Sequence, residues 1–459
     1  GQNVTALLGK DAFQCVDIAS ICAPVAKKTW CVTDPAEAPK IFREAFKVAR
    51  EGRPGPVVID LPLDVQKTEV EYDAAADKSL EIPVPGPAGD KISAALDLLE
   101  KAEKPVMIMG GGTVLSGGTA ECLALAEFLN IPLITTYMAK GGVPADHPLH
   151  VGHAGIQVGG PLGNKIFLES DVVLGIGCRF TDRHTGNLEV YKGDRKFIHV
   201  DIEPTQIGRI IEPAVGIVSD AKLACEALLS EAKQRGEAWK GAPRVAELPE
   251  LKKKLNRKTF FDNKLVKPQR VYHELNQVFE DDTLFTTGCG LNQIWSGQFQ
   301  QINKPQMYLP SGGAGTLGFD IPAAFGASIG AGKKKVVAVM GDFGFTFLVE
   351  ELAVAAAYDI PVVVVILNNG SLSLIRQNQK YAYGYEYAVG MKENLDKIDY
   401  IKVSEGFGCT AERVTTPDEI APALKRAMES AQPYVVEVLV EEDADASMGM
   451  ALDAIKEFE

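Results

Sequence analysis

Short, almost uninterrupted apolar runs recur along the chain and alternate with stretches of helical periodicity. PVMIMGGG, IPLITTY, DVVLGIG and KFIHVDI lie in the middle of the sequence, and KKVVAVMGD, IPVVVVILNN and PYVVEVLVE in its C-terminal part. A strand covered on one face alternates apolar with polar residues, whereas one covered on both faces reads as continuously apolar. Runs of the second kind separated by helical segments predict parallel sheets with helices on both sides. The pattern predicts an α/β fold of doubly wound parallel sheets, one in a middle domain at about 90–240 and one in a C-terminal domain at about 260–459.

Two breaks divide the chain. EIPVPGPAGD (Glu81–Asp90) holds three prolines and two glycines and continues neither helix nor central strand. The segment from about Lys233 to Lys258 is charged and poor in aromatic residues, which predicts exposed helix plus linker. Residues 1–77 offer one helix pattern, PAEAPKIFREAFKVAREG, and one strand, GPVVIDLP, too little for an independent α/β domain. With an opening of GQNVTALLGKDAFQ and no initial Met, this part is expected to be the tail of a domain that begins upstream.

Composition narrows the function classes. At 459 residues the chain is expected to hold more than one core. A net charge of −14 argues against a nucleic-acid surface, which needs clustered Lys and Arg. No run approaches the ~18 apolar residues of a membrane span. The eight cysteines form no CxxC pair, and no signal peptide opens the chain, so reduced thiols and a cytoplasmic location are expected. His147, His150 and His153 cluster, but Pro148 and Gly152 break a regular ligand spacing, and a zinc site is not expected.

Candidate chemistry sits where the apolar runs end. Asp342 closes one run and Asn369 follows another, with a helix-like segment between them. In open parallel sheets ligands gather outside the carboxyl ends of strands. A carboxylate oxygen, an amide oxygen and a nearby carbonyl form a hard oxygen set suited to Mg²⁺. Gly344 lets backbone amides approach a diphosphate. Taken singly, either pair is more often a turn or a helix cap; together, at two strand ends, they point to a ligand.

Gly341-Asp342 followed by Asn368-Asn369 resembles the thiamin-diphosphate motif, in which the Asp, the second Asn and the carbonyl two residues later hold the Mg²⁺ of the cofactor. The residue after the Asp is usually Gly. Here it is Phe343, a departure shared with the glyoxylate carboligase (tartronate-semialdehyde synthase) family, relatives of the acetolactate synthases. GRPGPVVIDLPLDVQ is similar to the end of the N-terminal, pyrimidine-binding domain of these enzymes. GIGCRFTDRHTG and HVDIEPTQIGR resemble their flavin-binding middle domain, and GAGTLGFDIPAAFGA and NNGSLSLIRQNQ their C-terminal domain. Asn378 stands where acetolactate synthases usually carry Trp, which tilts the resemblance toward the carboligases.

The resemblance implies decarboxylating carboligation of two glyoxylate molecules to tartronate semialdehyde and CO₂, with thiamin diphosphate as electron sink. It implies Asp342, Asn369 and the Ser371 carbonyl as Mg²⁺ ligands. The amides of Phe343 and Gly344, with Leu291 and Asn292, match diphosphate contacts. Leu317 matches the apolar side chain over which the cofactor bends, and the Gly315 carbonyl the acceptor for its 4′-amino group. Leu372 and Ile375 match the wall of the substrate pocket, where an apolar surface favours loss of a carboxylate as neutral CO₂. For the middle domain the implied ligand is a structural FAD. Its contacts match Gly110, Gly111, Gly112, Thr136, Tyr137, Met138, Gly152, His153, Gly177, Arg179, Arg183, Asp201, Ile202 and Asp220. A bare GGG is by itself more often a tight turn.

On the same resemblance residues 1–77 are the C-terminal remnant of the pyrimidine-binding domain, 90–240 the FAD domain and 260–459 the diphosphate-binding domain. Roughly the first hundred residues of the first domain have no counterpart, and with them the position facing the pyrimidine N1′. Sites shared between subunits are implied, hence a homodimer or homotetramer acting on a small 2-oxoacid. Acetolactate synthesis from pyruvate, or another 2-oxoacid reaction, is the neighbouring alternative. The alternative of another class is an inactive truncated fragment or decoy subunit.

Overall fold

The computed structural model describes all residues except 76–77, 237–242, 391–397 and 459. The chain falls into two compact units. The smaller comprises Gly1–Pro87 with Ile202–Pro204 and Val218–Asp220; the larger comprises Ala88–Asp201, Thr205–Ile217 and Ala221–Glu459.

In the smaller unit, β1 (Lys28–Cys31) and β2 (Val57–Asp60) pair in parallel, Lys28 opposite Val57 and Cys31 opposite Asp60. The helix Ala38–Arg50 connects them and follows a short turn begun by Asp34, whose carboxylate accepts from the Ala36 amide. The strand GPVVIDLP and the helix were expected, but KTWC, four residues of mixed polarity, was not. This helix buries Ala45 yet leaves Phe42 and Phe46 exposed. With Val65, Val70, Tyr72 and Leu80 those two rings line a groove of 610 Å³.

The larger unit holds β3 (Val106–Met109), β4 (Leu133–Thr135), β5 (His150–His153), β6 (Val172–Ile176) and β7 (Lys196–Asp201), with β8 (Val215–Val218) running to its edge. Further along come β9 (Leu284–Thr287), β10 (Tyr308–Pro310), β11 (Val336–Gly341), β12 (Val362–Asn368), β13 (Thr410–Val414) and β14 (Tyr434–Leu439). Among the described residues these form two six-stranded sheets, ordered β5-β4-β3-β6-β7-β8 and β10-β9-β11-β12-β14-β13. Pairing is parallel from β3 through β7 and throughout the second sheet.

Alternate residues of each strand serve different cores, which is why the strands read as continuously apolar. Met107 and Met109 pack with the helices Gly89–Glu100, Thr119–Leu129 and Ala221–Gln234, while Val106 and Ile108 pack on the opposite face with Ile166, Phe167 and Tyr191. In the second sheet Val337, Val339, Val363 and Val365 face the helices Pro268–Val278, Leu291–Phe299 and Pro417–Glu429. Val336, Ala338, Val362 and Val364 face Ile321, Phe325, Leu352 and Tyr400. The doubly wound α/β prediction holds.

In both sheets the chain leaves the first strand to one side and later returns to its other side. β4 lies on one side of β3 and β6 on the other; β10 and β11 flank β9 in the same way. At such a reversal the connections diverge and leave a crevice at the strand carboxyl ends. One crevice lies beyond β3 and β6, the other beyond β9 and β11.

The segment expected to be exposed helix plus linker does carry a helix, Leu248–Leu255, but part of it is buried. Residues 237–242 lie outside the described residues, but Arg244 that follows donates from Nη1 to the Ile166 carbonyl and from Nη2 to those of Lys104 and Pro105. Leu248 is also buried, against the first sheet. Polar composition hid this, because a guanidinium whose terminal nitrogens meet carbonyls can be buried where an isolated charge cannot.

The two sheets are joined by a turn at which several polar groups meet. The Tyr137 hydroxyl lies 3.0 Å from that of Tyr308, which in turn lies 2.7 Å from Ser296 Oγ. Lys140 is buried, donating to the Gly297 carbonyl at 2.9 Å and lying 3.2 Å from His153 Nε2. His153 Nδ1 lies 2.9 Å from the Thr135 carbonyl, so Nδ1 carries the proton and Nε2 accepts from the lysine. Burial pushes the Lys140 ammonium down to about 7 and holds His153 well below its ordinary value. The unfolded chain therefore binds the Lys140 proton more tightly, and folding stability attributable to this group rises with pH from about 7 to 10.5. For Lys140→Met we expect thermal unfolding followed from pH 7 to 10 to lose this rise relative to the parent. Parallel curves for the two proteins would contradict the assignment.

Candidate functional site

The second crevice gathers the C-terminal candidates. Gly341 lies opposite Leu367 in the β11–β12 register, so Asp342 emerges beside Asn368, the last residue of β12. Asp342 is buried; Oδ1 accepts from the Phe343 amide and Oδ2 from the Gly370 amide, both at 2.8 Å. Burial pushes its carboxyl up to about 6 against the pull of those amides. Such a carboxylate favours a cation beside it, and each oxygen retains a further lone pair.

Gly370, with φ of 61°, turns the chain sharply after β12. Asn369 donates from Nδ2 to Ser373 Oγ, which leaves its amide oxygen as the outward acceptor. The Ser371 carbonyl already accepts from the Ser373 amide at 2.8 Å and from Ser373 Oγ at 3.0 Å. Two oxygen donors of the kind Mg²⁺ takes thus stand at neighbouring strand ends, while the third is shared with Ser373. The carboxylate and amide donors fit the metal; a Ser371 contact requires Ser373 to release or share the carbonyl.

On the β9 side the chain turns through Gly288, Cys289 and Gly290 into the helix Leu291–Phe299. Asp320 accepts from the Gly288 amide, and a Cβ at Gly288 would lie 2.3 Å from Asp320 Oδ2, so the turn fits against that acid. Burial pushes the Asp320 carboxyl up to about 7. Leu291 and Asn292 are buried at the start of the helix, whose N-terminal end suits an anion. Asn292 Nδ2 reaches Thr287 Oγ1 at 3.2 Å and the Val339 carbonyl at 3.3 Å, tying β9 to β11 across the crevice. The Phe343 amide is engaged by Asp342, and Gly344 lies buried in the short helix Asp342–Phe345.

Between these two edges runs the loop Ser311–Gly318. Ser311 Oγ accepts from the Thr316 amide at 3.0 Å, and Gly315 takes a φ of 64°. Leu317 is 37% exposed, where a leucine serving a core would be covered. Leu372 is half-buried, and Ile375 is 52% exposed on the helix Ser373–Asn378. Apolar surface is therefore presented at all three positions.

Arg183 belongs to this neighbourhood as much as to the middle sheet. Its Nε donates to Gln157 Oε1 at 2.5 Å and its Nη2 to Gln293 Oε1 at 3.3 Å. A Cβ at Gly315 would lie 3.9 Å from Arg183 Nη1 and 3.8 Å from Cys289 Sγ. Phe180, buried with a φ of 53°, turns the chain between β6 and this arginine, a conformation bulky residues rarely take.

At the first crevice, Gly110 donates its amide to the Ile176 carbonyl at 2.8 Å and Gly112 its amide to the Gly177 carbonyl at 3.0 Å. A Cβ at Gly110 would stand 2.1 Å from the Gly177 carbonyl oxygen. These glycines permit a backbone crossing, and two of their three amides are engaged by it. Met138 lies against Gly111 and Gly312, and the Tyr137 hydroxyl and His153 are bound into the joint described above. Thr136 is buried and Arg179 exposed, while around Gly152 (φ 80°) the space is open. Asp201 is buried at the end of β7. Ile202 and Asp220 belong to the smaller unit, where the Asp220 amide donates to the Pro85 carbonyl.

Asp320, Arg413 and Glu437 were not singled out from the sequence, and Asn368 entered only as the first Asn of its pair, with no role of its own. Glu437 left a signal, a charge inside the apolar run PYVVEVLVE.

The family described as "Thiamine pyrophosphate enzyme, central domain" matches residues 92–228, and "Thiamine pyrophosphate enzyme, C-terminal TPP binding domain" matches residues 288–438. The whole chain is 43% identical to the glyoxylate carboligase of Escherichia coli O157:H7, covering 80% of that protein. It is 39% identical to a probable acetolactate synthase large subunit of Methanocaldococcus jannaschii, with 96% of this chain and 76% of the relative aligned. Against the acetolactate synthase large subunit of Corynebacterium glutamicum identity is 38%, over 97% of this chain and 72% of the relative. The chain belongs to the thiamine pyrophosphate-dependent enzymes, in the group that contains the glyoxylate carboligases and the acetolactate synthases.

Proposed function

We propose that the protein condenses two molecules of glyoxylate, with release of one CO₂, to tartronate semialdehyde, using thiamin diphosphate and Mg²⁺. The observation that carries the cofactor part is the meeting of Asp342 with the Asn369–Ser371 turn at the ends of β11 and β12. Bound thiamin diphosphate supplies the electron sink for decarboxylation. Asp342 and Asn369 would hold the metal on the diphosphate, and the N-terminus of the helix Leu291–Phe299 would offer its amides to the same charge. Leu317 supports the cofactor, and the Gly315 carbonyl orients it.

Substrate choice rests on the wall and on one charge. Leu372 and Ile375 offer an apolar surface that disfavours a carboxylate and favours its loss as CO₂. Arg183, beside the Gly315 turn, offers a guanidinium suited to a second substrate's carboxylate. Glyoxylate is favoured over pyruvate by Asn378, by Phe343 after the metal-binding acid, and by the 43% identity with a glyoxylate carboligase. FAD is proposed as a structural ligand of the first crevice, with Arg179 and Asp201 as its polar contacts; condensation of two glyoxylates involves no net redox change.

Asp342→Ala or Asn369→Ala is expected to raise the thiamin diphosphate concentration needed for half-saturation by about 100-fold or more, a loss typical of removing a metal ligand or worse. Titration of the apo-protein in the presence of Mg²⁺ checks this, and wild-type affinity in both variants would sink the metal assignment. Side by side, glyoxylate is expected to be turned over far faster than pyruvate; equal or better use of pyruvate would move the assignment to acetolactate synthesis. The purified protein is expected to be yellow and to keep its carboligase activity when the flavin is reduced, and activity lost on reduction would refute a structural role.

A further inference from the structure

Glu437 is completely buried, 0% exposed, in the middle of a strand whose other residues are Tyr, Val and Leu. It lies on the same face as Val435, opposite Ile366 of β12 and Arg413 of β13. A carboxylate among such neighbours is unfavourable unless paired and hydrogen-bonded on both oxygens. Both are in fact engaged. Arg413 donates from Nε to Oε2 at 2.7 Å, and Asn368 donates from Nδ2 to Oε1 at 2.7 Å.

Asn368 passes the constraint onward. Its Oδ1 accepts from the Gly370 amide at 3.0 Å, and that same amide donates to Asp342 Oδ2 at 2.8 Å. Its carbonyl accepts from the Val440 amide at 2.9 Å, which fixes the end of β12 against the chain leaving β14. A continuous path thus runs from a guanidinium whose side chain is 41% exposed, through a buried carboxylate and an amide, to the turn bearing Asn369 and Ser371.

The arrangement does more than stabilise a sheet. A carboxylate kept inside an apolar core is dispensable for packing, since a leucine of similar volume would fill that space at lower electrostatic cost. What leucine could not do is orient the Asn368 amide, and with Nδ2 fixed on Glu437, Oδ1 has one direction left. We infer that Asn368, Glu437 and Arg413 are positioning residues for the cation site, holding the Gly370 turn against Asp342 so that the carboxylate and the Asn369 amide oxygen converge before the metal arrives. This rests on the reading of Asp342 and Asn369 as the Mg²⁺ ligands.

The test is a fluorescence titration of the apo-protein with Mg²⁺ at fixed thiamin diphosphate, run beside the saturated kcat and the melting temperature of the metal-free protein. Glu437→Leu and Asn368→Ala are expected to weaken Mg²⁺ by about 10- to 100-fold, the range found when groups behind metal ligands are removed. Glu437→Gln keeps an acceptor for Asn368 but loses the charge facing Arg413, and is expected to fall between Leu and wild type. Arg413→Gln, at a partly exposed position, is expected to weaken Mg²⁺ by roughly 3- to 10-fold, the loss of one charge-assisted hydrogen bond. In all four, kcat at saturating Mg²⁺ is expected to stay near wild type, because the ligands themselves remain. Wild-type Mg²⁺ affinity in Glu437→Leu and Asn368→Ala, with Asp342→Ala still defective, would overturn the inference and leave the site standing. Equal losses in Glu437→Gln and Glu437→Leu that lower kcat and melting temperature together would also overturn it, since they would mark a general packing role. Wild-type affinity in Asp342→Ala would remove the site and the inference with it.

Discussion

Burying a carboxylate at the end of an apolar strand is unfavourable unless something compensates it, and the C-terminal sheet is arranged around that fact. Asp342 receives two backbone amides, enough to hold its geometry but too little to neutralise it, and its carboxyl remains pushed up to about 6. Glu437, two strands away on the same sheet, is compensated fully, by a guanidinium and an amide. One acid is left electrostatically unfinished and the other complete. The unfinished one faces the crevice where the strand order reverses, which is where a cation and a diphosphate would bring the missing charge and accept the helix N-terminus beside it.

The same reversal occurs in the first sheet, with a different local solution. There glycines at positions 110, 112 and 177 let two backbone segments cross within van der Waals distance, and the amides of Gly110 and Gly112 are engaged in that crossing. A phosphate bound at that crevice would depend more heavily on side chains. The two sheets are fastened by Tyr137 and Lys140 reaching the helix Leu291–Phe299. A polar joint of this kind sets direction as well as distance, because hydrogen bonds are angular where apolar contacts are not.

Much of this architecture was legible in the chain because the signals were periodic. Runs such as VVAVMG and VVVVILN demand cover on both faces, which leaves little choice but a doubly wound sheet. Asp342 and Asn369 were legible because they interrupt those runs at their ends. Other features were hidden by their residue types. KTWC carries no alternation and was not foreseen as β1. Arg244 reads as a linker charge until three carbonyls are seen around it. The pairing of Arg413 with Glu437 depends on register across β13 and β14, which a linear sequence does not contain. Arg183 could be placed after a strand, but its approach to Gly315 depends on how two sheets meet.

Strand order has a further consequence, for synthesis. β14 is made after β12 and β13, yet it is inserted between them, and β13 has no other partner among the described strands. Until residues 434–439 have left the ribosome, the β12 edge carries VVVVILN with one side unpaired, and β13 has nothing to dock on. At ordinary elongation rates of about 5–20 residues per second this interval lasts several seconds. A nascent chain in that state shows a long apolar edge of the kind that recruits other strands, so this topology concentrates its demand on chaperones in the interval between β12 and β14.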